Sequence, residues 1–166
     1  MIQLRVLGPV ELRGHDGQVV LSVLTRSKRL TLLSYLTLVA SGTFVRRSKL
    51  VELFWPDSDP DRARASLRTA LSGLRTSLGP EVVTSRGDDE LGIAPGSVSC
   101  DAVDFEAAIG RGDLDTAVGL YRGPLLEGIS LQEAPSLSRW MEDRRSRLAR
   151  ARIPADTLCH HDRWRR

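Results

Sequence analysis

The sequence predicts an α+β fold, in which a front half of strands and helices is followed by a shorter helical segment. Three observations lead to this prediction. Apolar and polar residues alternate at the start of the chain, as they do in half-buried strands. From residue 26 to residue 78, apolar residues recur at helical spacing. Alternation returns at residues 82–94, and helical spacing resumes after residue 100.

The first predicted elements are three short strands. Residues 2–7 and 10–13 alternate, and a Gly-Pro pair breaks the pattern between them. Residues 18–21 follow a glycine-containing turn and predict the third strand. A small sheet of this kind is not stable alone, because helices must cover one of its faces. We therefore expect a leading antiparallel sheet that packs against the helices that follow it.

Three helices are predicted next, at residues 26–40, 48–55 and 60–78. The third has the clearest start, because Asp59 can act as its N-cap and Pro60 suits its first turn. Gly79 and Pro80 end it. Its apolar residues share one face on a helical wheel. The predicted core residues of this helix are Ala63, Leu67, Ala70, Leu71, Leu74 and Leu78.

A β-hairpin and further helices complete the prediction. Residues 82–86 and 90–94 alternate, and a Gly-Asp turn joins them, which is typical of a hairpin. Apolar residues at helical spacing then predict helices at 103–109, 114–121 and 136–152. Residues 154–166 continue none of these patterns, so we expect an irregular or disordered tail there.

Charge is distributed unevenly along the 166 residues. Residues 1–79 carry 12 basic and 6 acidic side chains, a net charge of +6. Residues 97–143 carry 3 basic and 9 acidic side chains, a net charge of −6. A basic front half beside an acidic middle indicates a domain that binds a polyanion, joined to a segment with another role.

Composition argues against several other classes of protein. Apolar residues make up 41% and charged residues 27%, as in ordinary globular proteins. No apolar run reaches the ~20 residues of a membrane span, no signal peptide is visible, and two cysteines make no disulfide framework. We therefore expect a cytoplasmic protein without a membrane partner. The sequence has no phosphate-binding glycine loop, metal-ligand spacing or nucleophile–base pair, so it predicts no enzyme, cofactor or metal.

Three helices that end in a hairpin are the layout of a winged helix-turn-helix, whose last helix enters the DNA major groove. With its leading sheet, the front half resembles an OmpR/PhoB-type output domain. Seven segments between residue 2 and about residue 150 carry a closer resemblance: Leu4-Arg5-Val6-Leu7-Gly8, Leu53-Phe54-Trp55-Pro56-Asp57, Ala63-Arg64-Ala65-Ser66-Leu67-Arg68, Leu74-Arg75-Thr76-Ser77-Leu78-Gly79, Cys100-Asp101-Ala102-Val103-Asp104-Phe105, Leu120-Tyr121-Arg122-Gly123-Pro124-Leu125-Leu126-Glu127-Gly128 and Arg139-Trp140-Met141-Glu142-Asp143-Arg144-Arg145. In these segments the chain resembles bacterial transcriptional regulators of the SARP/AfsR type.

This resemblance implies a domain plan and a set of partners. Residues 1–97 would form the DNA-binding domain. Residues 98–153 would form the start of a helical, tetratricopeptide-like bacterial transcriptional activation domain, and 154–166 the tail. The implied partners are double-stranded DNA at promoter direct repeats, RNA polymerase and a second copy of the chain on DNA. Tetratricopeptide-like arrays need several stacked repeats, so a segment this short predicts a partly exposed apolar inner face.

The third helix is the predicted reading element, because arginines and hydroxyls occupy the face opposite its leucines. The start of the second helix can hold a phosphate, and the hairpin tip can reach one. The predicted DNA-binding residues are Arg62, Arg64, Arg68, Thr69, Ser72, Arg75, Thr76, Arg86, Arg47 and Lys49. We expect Arg68 to read a base and Arg75 to contact phosphate without affecting stability.

A second hypothesis from a different class stays open at this point. The protein could be an interaction adaptor, whose helical segment binds a partner and whose front domain has weak or no affinity for DNA. The basic face of the third helix favours the DNA-binding hypothesis. A mobility-shift assay in a salt series distinguishes the two, because phosphate contacts make binding salt-dependent.

Overall fold

The computed structural model describes residues 1–39 and 42–162, and over these residues the fold is α+β. This part of the chain contains seven helices and two three-stranded sheets. Their buried apolar side chains form one hydrophobic cluster, which extends from Ile2 to Leu148. The front half and the helical segment therefore share a core. None of the helices described is both long and apolar enough to cross a membrane.

The leading sheet has the strand order β2-β1-β6. β1 (Ile2–Arg5) pairs antiparallel with β2 (Glu11–Arg13) and parallel with β6 (Val98–Cys100). The predicted alternation is confirmed in β1, whose residues are buried and exposed in turn. The sheet is mixed instead of antiparallel, because the outer strand β6, which follows the hairpin in the chain, runs parallel to β1.

The predicted third strand at residues 18–21 is wrong. Val19 forms a single bridge to Arg13, and α1 (Leu21–Leu24) begins soon afterwards. The helical turn brings Val23 into the core, where its side chain is fully buried. Burial of that side chain stabilises the turn, and the strand stops after one bridge.

Three longer helices follow, as predicted: α2 (Ser27–Val39), α3 (Arg47–Phe54) and α4 (Pro60–Leu78). The carboxylate of Asp59 caps α4 by accepting hydrogen bonds from the next two backbone N–H groups, at 3.1 and 3.3 Å. The six predicted core residues of α4 are all buried, so its predicted core face is confirmed. The predicted end of α2 at residues 40 and 41 lies outside the described residues.

The second sheet has the strand order β3-β5-β4. β4 (Val83–Arg86) and β5 (Glu90–Ile93) form the predicted hairpin, and Gly87 takes a φ of +61° in its turn. β3 (Val45–Arg46) pairs with β5 and leads directly into α3. This strand ties the hairpin to the start of α3. It is too short to produce a periodic pattern, and the sequence did not predict it.

Three helices complete the fold: α5 (Asp101–Arg111), α6 (Leu114–Leu120) and α7 (Pro135–Asp162). The predicted irregular tail is wrong for residues 154–162, whose backbone continues α7. Proline removes one helical hydrogen bond and is costly there, but its fixed φ lies in the helical range. Residues 163–166 of the predicted tail lie outside the described residues.

Over residues 101–152, the large apolar side chains of the helical segment are buried or partly buried, and none of them is fully exposed. The expected partial exposure of the inner face stays a prediction. The segment between α6 and α7 contributes Leu125, Leu126 and Leu131 to the core. Arg145 on α7 holds this segment in place by donating hydrogen bonds to the carbonyl oxygens of Leu125, Leu126 and Ile129.

Several contacts join the helical segment to the front half, and they include a buried carboxylate and a pair of aromatic rings. Asp101, at the start of α5, accepts hydrogen bonds from the backbone N–H groups of Val6 and Leu7, at 2.8 and 3.1 Å. Trp140 on α7 lies edge-on to Tyr35 on α2, with ring centroids 4.8 Å apart. The predicted division between residues 97 and 98 stays a prediction, and the pairing of β1 with β6 crosses it.

Candidate nucleic-acid interface

The solvent-facing side of α4 carries the polar residues that the helical wheel predicts. Arg62, Arg68, Thr69, Ser72 and Thr76 are all exposed, whereas the leucine stripe is buried. The only acidic residue within α4 lies in its first turn. The rest of the exposed face therefore presents guanidinium and hydroxyl groups, both of which can donate hydrogen bonds to nucleic acid.

A groove runs along one flank of α4, between this helix and the start of α3; we call it the first groove. Its lining includes Arg47, Arg68, Ser72, Arg75 and Thr76. Among the described residues, none of its three guanidinium groups forms an ion pair with a carboxylate. Adjacent cations without a neutralising partner create a positive potential that attracts anions.

Arg75 links α4 to the hairpin. Its Nε and Nη2 donate hydrogen bonds to the carbonyl oxygen of Val83, at 3.2 and 3.1 Å, and Nη2 also reaches Ser85 Oγ at 3.3 Å. The sequence predicts a solvated side chain whose loss leaves stability unchanged. That expectation does not fit the structure, because these bonds join two elements of the fold.

Arg47 is positioned by the same hairpin. Its backbone N–H donates to the carbonyl oxygen of Asp89 at 2.7 Å, and its Nη2 donates to Ser85 Oγ at 3.4 Å. Arg47 and Arg75 thus share one hydroxyl. The Nε of Arg47 is buried and has no hydrogen-bond partner within the described part of the chain. A buried donor of this kind is costly unless a ligand or water satisfies it.

The remaining basic residues of the predicted set are placed differently. Lys49 and Arg62 are exposed, and neither lines the first groove. Arg64 forms an ion pair with Asp61, one turn earlier in α4. Exposed pairs of this kind contribute at most about 1 kcal/mol, so a phosphate can compete with Asp61 for the guanidinium.

Arg86, the predicted hairpin-tip contact, already has partners in the structure. Its Nε pairs with the carboxylate of Glu90, and its guanidinium lies 4.7 Å from the ring centroid of Phe44. The hydrogen bond from Arg86 lowers the pKa of Glu90 below its usual value. The turn beyond Arg86 carries Asp88 and Asp89, both exposed. A phosphate contact at Arg86 stays a prediction, and it requires the side chain to leave Glu90.

A second groove lies on the opposite flank of α4, towards α1 and α2. Its lining includes Arg29 and Gly73, and it shares Arg68, Ser72 and Thr76 with the first groove. These three shared residues form a ridge between the two grooves. Arg29 was absent from the predicted set. The sequence offers one local indication of a contact here, which is Gly73 in the middle of α4. Glycine destabilises a helix by about 1 kcal/mol relative to alanine, so its presence suggests a packing reason.

Six of the ten predicted DNA-binding residues thus lie together in the two grooves beside α4. Arg47, Arg68, Ser72, Arg75 and Thr76 line the first groove, and Thr69 lines the second. Elsewhere, no group of three or more His, Cys, Asp or Glu side chains within residues 1–39 and 42–152 could hold a metal ion. Burial raises the pKa of the Cys100 thiol to about 12, so this side chain is protonated at neutral pH and unreactive.

No protein-family model matches the chain, and a search of curated proteins finds no match. The two grooves beside α4 and the ridge between them are therefore the features from which a function is inferred. They combine an exposed polar helix face, flanking guanidinium groups and a helix start without a side-chain cap.

Proposed function

We propose that this protein is a sequence-specific regulator of transcription that binds double-stranded DNA, of the SARP/AfsR type. In this proposal α3 and α4 form a helix-turn-helix, and the β4–β5 hairpin is its wing. The first groove carries the proposal: its three guanidinium groups lie beside the exposed hydroxyls of α4 with no carboxylate paired to them in the described chain. A DNA phosphate backbone supplies the missing negative charge.

The proposed docking places α4 in the major groove, with the ridge towards the base edges. Arg68 can then fork onto the O6 and N7 atoms of a guanine, while Ser72 and Thr76 bond bases or phosphates. Arg47 and Arg75 lie to the side of the ridge, where a phosphate strand runs. Hydrogen bonds to Ser85 of the hairpin already order both side chains before DNA binds, so little conformational entropy is lost on binding.

The start of α3 adds a further phosphate contact in this proposal. Arg46, at its N-cap position, makes no side-chain capping bond. N–H groups at an uncapped helix start carry partial positive charge and bind phosphate readily. The unpartnered Nε of Arg47 lies at the same helix start and can donate to the same anion.

Residues 98–153 take the role that the resemblance implies, as the start of a tetratricopeptide-like activation domain. They would contact RNA polymerase in the bacterial cytoplasm and a second copy of the chain on promoter direct repeats. Residues 97–143 carry 9 acidic and 3 basic side chains, so this acidic stretch disfavours contact with DNA and suits a protein partner. The contact between Trp140 and Tyr35 holds it at a fixed position relative to the front half.

A mobility-shift assay of the full chain against promoter fragments, in a salt series, tests the proposal. We expect affinity to fall with salt, with a log–log slope of about −0.9 per phosphate contact. Arg68→Ala and Arg111→Ala each remove one exposed positive charge, but Arg111 ends α5 and lines neither groove. Only Arg68→Ala should weaken binding. No binding by the wild type at low salt would overturn the proposal and favour an interaction adaptor.

A further inference from the structure

We infer that Arg29 contacts a DNA phosphate on the second flank of α4, and that Gly73 is the residue that allows it to lie there. The inference rests on the proposed function, because it adds a contact to the same DNA-binding surface. It extends that surface beyond α3, α4 and the hairpin to include the start of α2.

The guanidinium of Arg29 lies directly against the backbone of α4. A Cβ at Gly73 would stand 2.3 Å from Cζ, 2.4 Å from Nη2 and 2.7 Å from Nε of Arg29, all far inside van der Waals contact. Any side chain at position 73 therefore displaces the guanidinium. The Nη1 of Arg29 donates a hydrogen bond to the carbonyl oxygen of Ser22 at 3.1 Å, which holds the side chain across the helix.

The surroundings of Arg29 favour an anion. A guanidinium has five N–H donors, and the bond to Ser22 accounts for one of them. Arg29 forms no ion pair among the described residues. The second groove is lined by two arginines, a glycine and hydroxyl-bearing side chains, with no carboxylate among them: Ser22, Arg29, Arg68, Thr69, Ser72, Gly73, Thr76 and Ser77. Converging donors with no carboxylate beside them match the oxygens of a phosphate.

The position of Arg29 relative to the ridge indicates which of the two DNA strands supplies the phosphate that it contacts. The major groove is about 12 Å wide, and a helix inside it has a phosphate strand on each side. Arg68, Ser72 and Thr76 separate the two grooves, since all three line both. In the proposed docking, the first groove binds the phosphates of one DNA strand. The other DNA strand then lies on the α2 side of α4, where it faces Arg29. Each flank of α4 then has a cation for its own strand.

Fluorescence anisotropy of the full chain tests this assignment, with a labelled mixed-sequence duplex of about two helical turns. Arg29→Ala should weaken binding roughly five- to tenfold near 0.1 M salt and reduce the magnitude of the log–log slope by about 0.9. Arg29→Lys keeps the charge and should recover most of the slope. Arg111→Ala removes a charge from outside the surface and should leave the slope unchanged. Arg29→Gln keeps a donor for Ser22, and it replaces the alanine variant if that variant unfolds.

Gly73→Ala provides a second test, which leaves Arg29 itself unchanged. Alanine favours the helix, so the chain should stay folded while the new methyl group displaces the guanidinium. Its effect on affinity and slope should equal that of Arg29→Ala, and the double variant should lose nothing further, because both changes remove one contact. Additive losses would overturn the role of Gly73. Wild-type affinity in the folded Arg29 variants would overturn the phosphate contact and leave the proposed function intact. Failure of the wild type to bind any duplex would overturn both.

Discussion

Arg75 on α4 donates two hydrogen bonds to the carbonyl oxygen of Val83, the first residue of β4, from Nε at 3.2 Å and from Nη2 at 3.1 Å. The same guanidinium lines the first groove. One side chain therefore fixes the hairpin against α4 and also contributes charge to the proposed DNA surface. We therefore expect stability and the proposed DNA binding to be coupled at Arg75 and separable at Arg68.

Arg75→Ala is expected to lower the free energy of unfolding by about 1–2 kcal/mol, because hydrogen bonds from a charged donor are lost at a partly exposed site. Arg75→Lys should recover only part of this, since an ammonium group cannot reproduce the guanidinium fork. Urea denaturation followed by circular dichroism measures both. Arg62→Ala, an exposed arginine on the same helix, is the control and should change stability by less than about 0.5 kcal/mol. Equal losses in the alanine variants would contradict the structural role of Arg75.

Arg68→Ala should leave thermal stability nearly unchanged, because this exposed side chain forms no hydrogen bond or ion pair with the described residues. We expect it to cost about 1–3 kcal/mol in specific DNA binding and to relax the preference at a single base pair, as loss of a guanine contact does. The measurement compares specific with mixed-sequence duplexes. If both affinities fall equally and the salt slope changes by about one unit, Arg68 contacts phosphate and not a base.

Leu71→Ala tests the buried face of α4. Leu71 is 2% exposed, so the loss of burial and the cavity left behind should lower the free energy of unfolding by ~2–5 kcal/mol. Thr69→Ala, on the exposed face of the same helix, is the matched control and should have little effect. Chemical denaturation gives both values. A Leu71 variant as stable as the Thr69 variant would show that this side of α4 is not a packed core.

Asp101 is expected to show a specific dependence on pH. Its carboxylate is 7% exposed, accepts the N–H groups of Val6 and Leu7, and lies 3.7 Å from Nη2 of Arg122. Burial raises the pKa of Asp101 above its ordinary value of 3.8, although the two backbone bonds oppose this. Asp101→Asn should destabilise the fold at neutral pH by about 1–3 kcal/mol, because one of the two N–H groups loses its acceptor.

The sign of the pH effect follows from the raised pKa. Just above pH 3.8, the folded protein holds the Asp101 proton more tightly than the unfolded chain does. The stabilisation from this proton is complete below that pH and is lost as pH rises through the folded pKa. As pH rises from 3.8 to above the folded pKa, the difference in free energy of unfolding between the wild type and Asp101→Asn should therefore decrease. At higher pH it should stay constant. Denaturation of both proteins in a pH series measures the difference, and an advantage that grows with pH would contradict the raised pKa.

The two faces of α4 could be predicted from the sequence, because burial within one helix is a local property. Residues three or four apart share a face, so the leucine spacing determines both the buried side and the exposed position of Arg68. The start of the helix at Asp59 is equally local, since the cap bonds backbone groups two and three residues away. These features needed no knowledge of the rest of the fold.

Contacts between distant elements could not be predicted in this way. The pairing of β1 with β6 joins segments that no periodicity connects. The bond from Arg75 to Val83 and the contact of Arg29 with Gly73 depend on how helices and hairpin pack. Solvated arginines and arginines that join two elements look alike in a sequence. Their roles in the candidate site therefore emerge only from the structure.

The parallel pairing of Ile2 with Val98 has a consequence for the order in which the chain folds. During synthesis β1 leaves the ribosome long before β6 exists, so one edge of β1 lacks its strand while α4 and the hairpin assemble. Non-local pairing is slow, because a long loop must close first. We expect the amide of Leu91 to gain protection in pulsed hydrogen exchange before that of Leu4, and the reverse order would contradict this. Until β6 arrives, the open edge of β1 is a place where a nascent chain can associate with another copy.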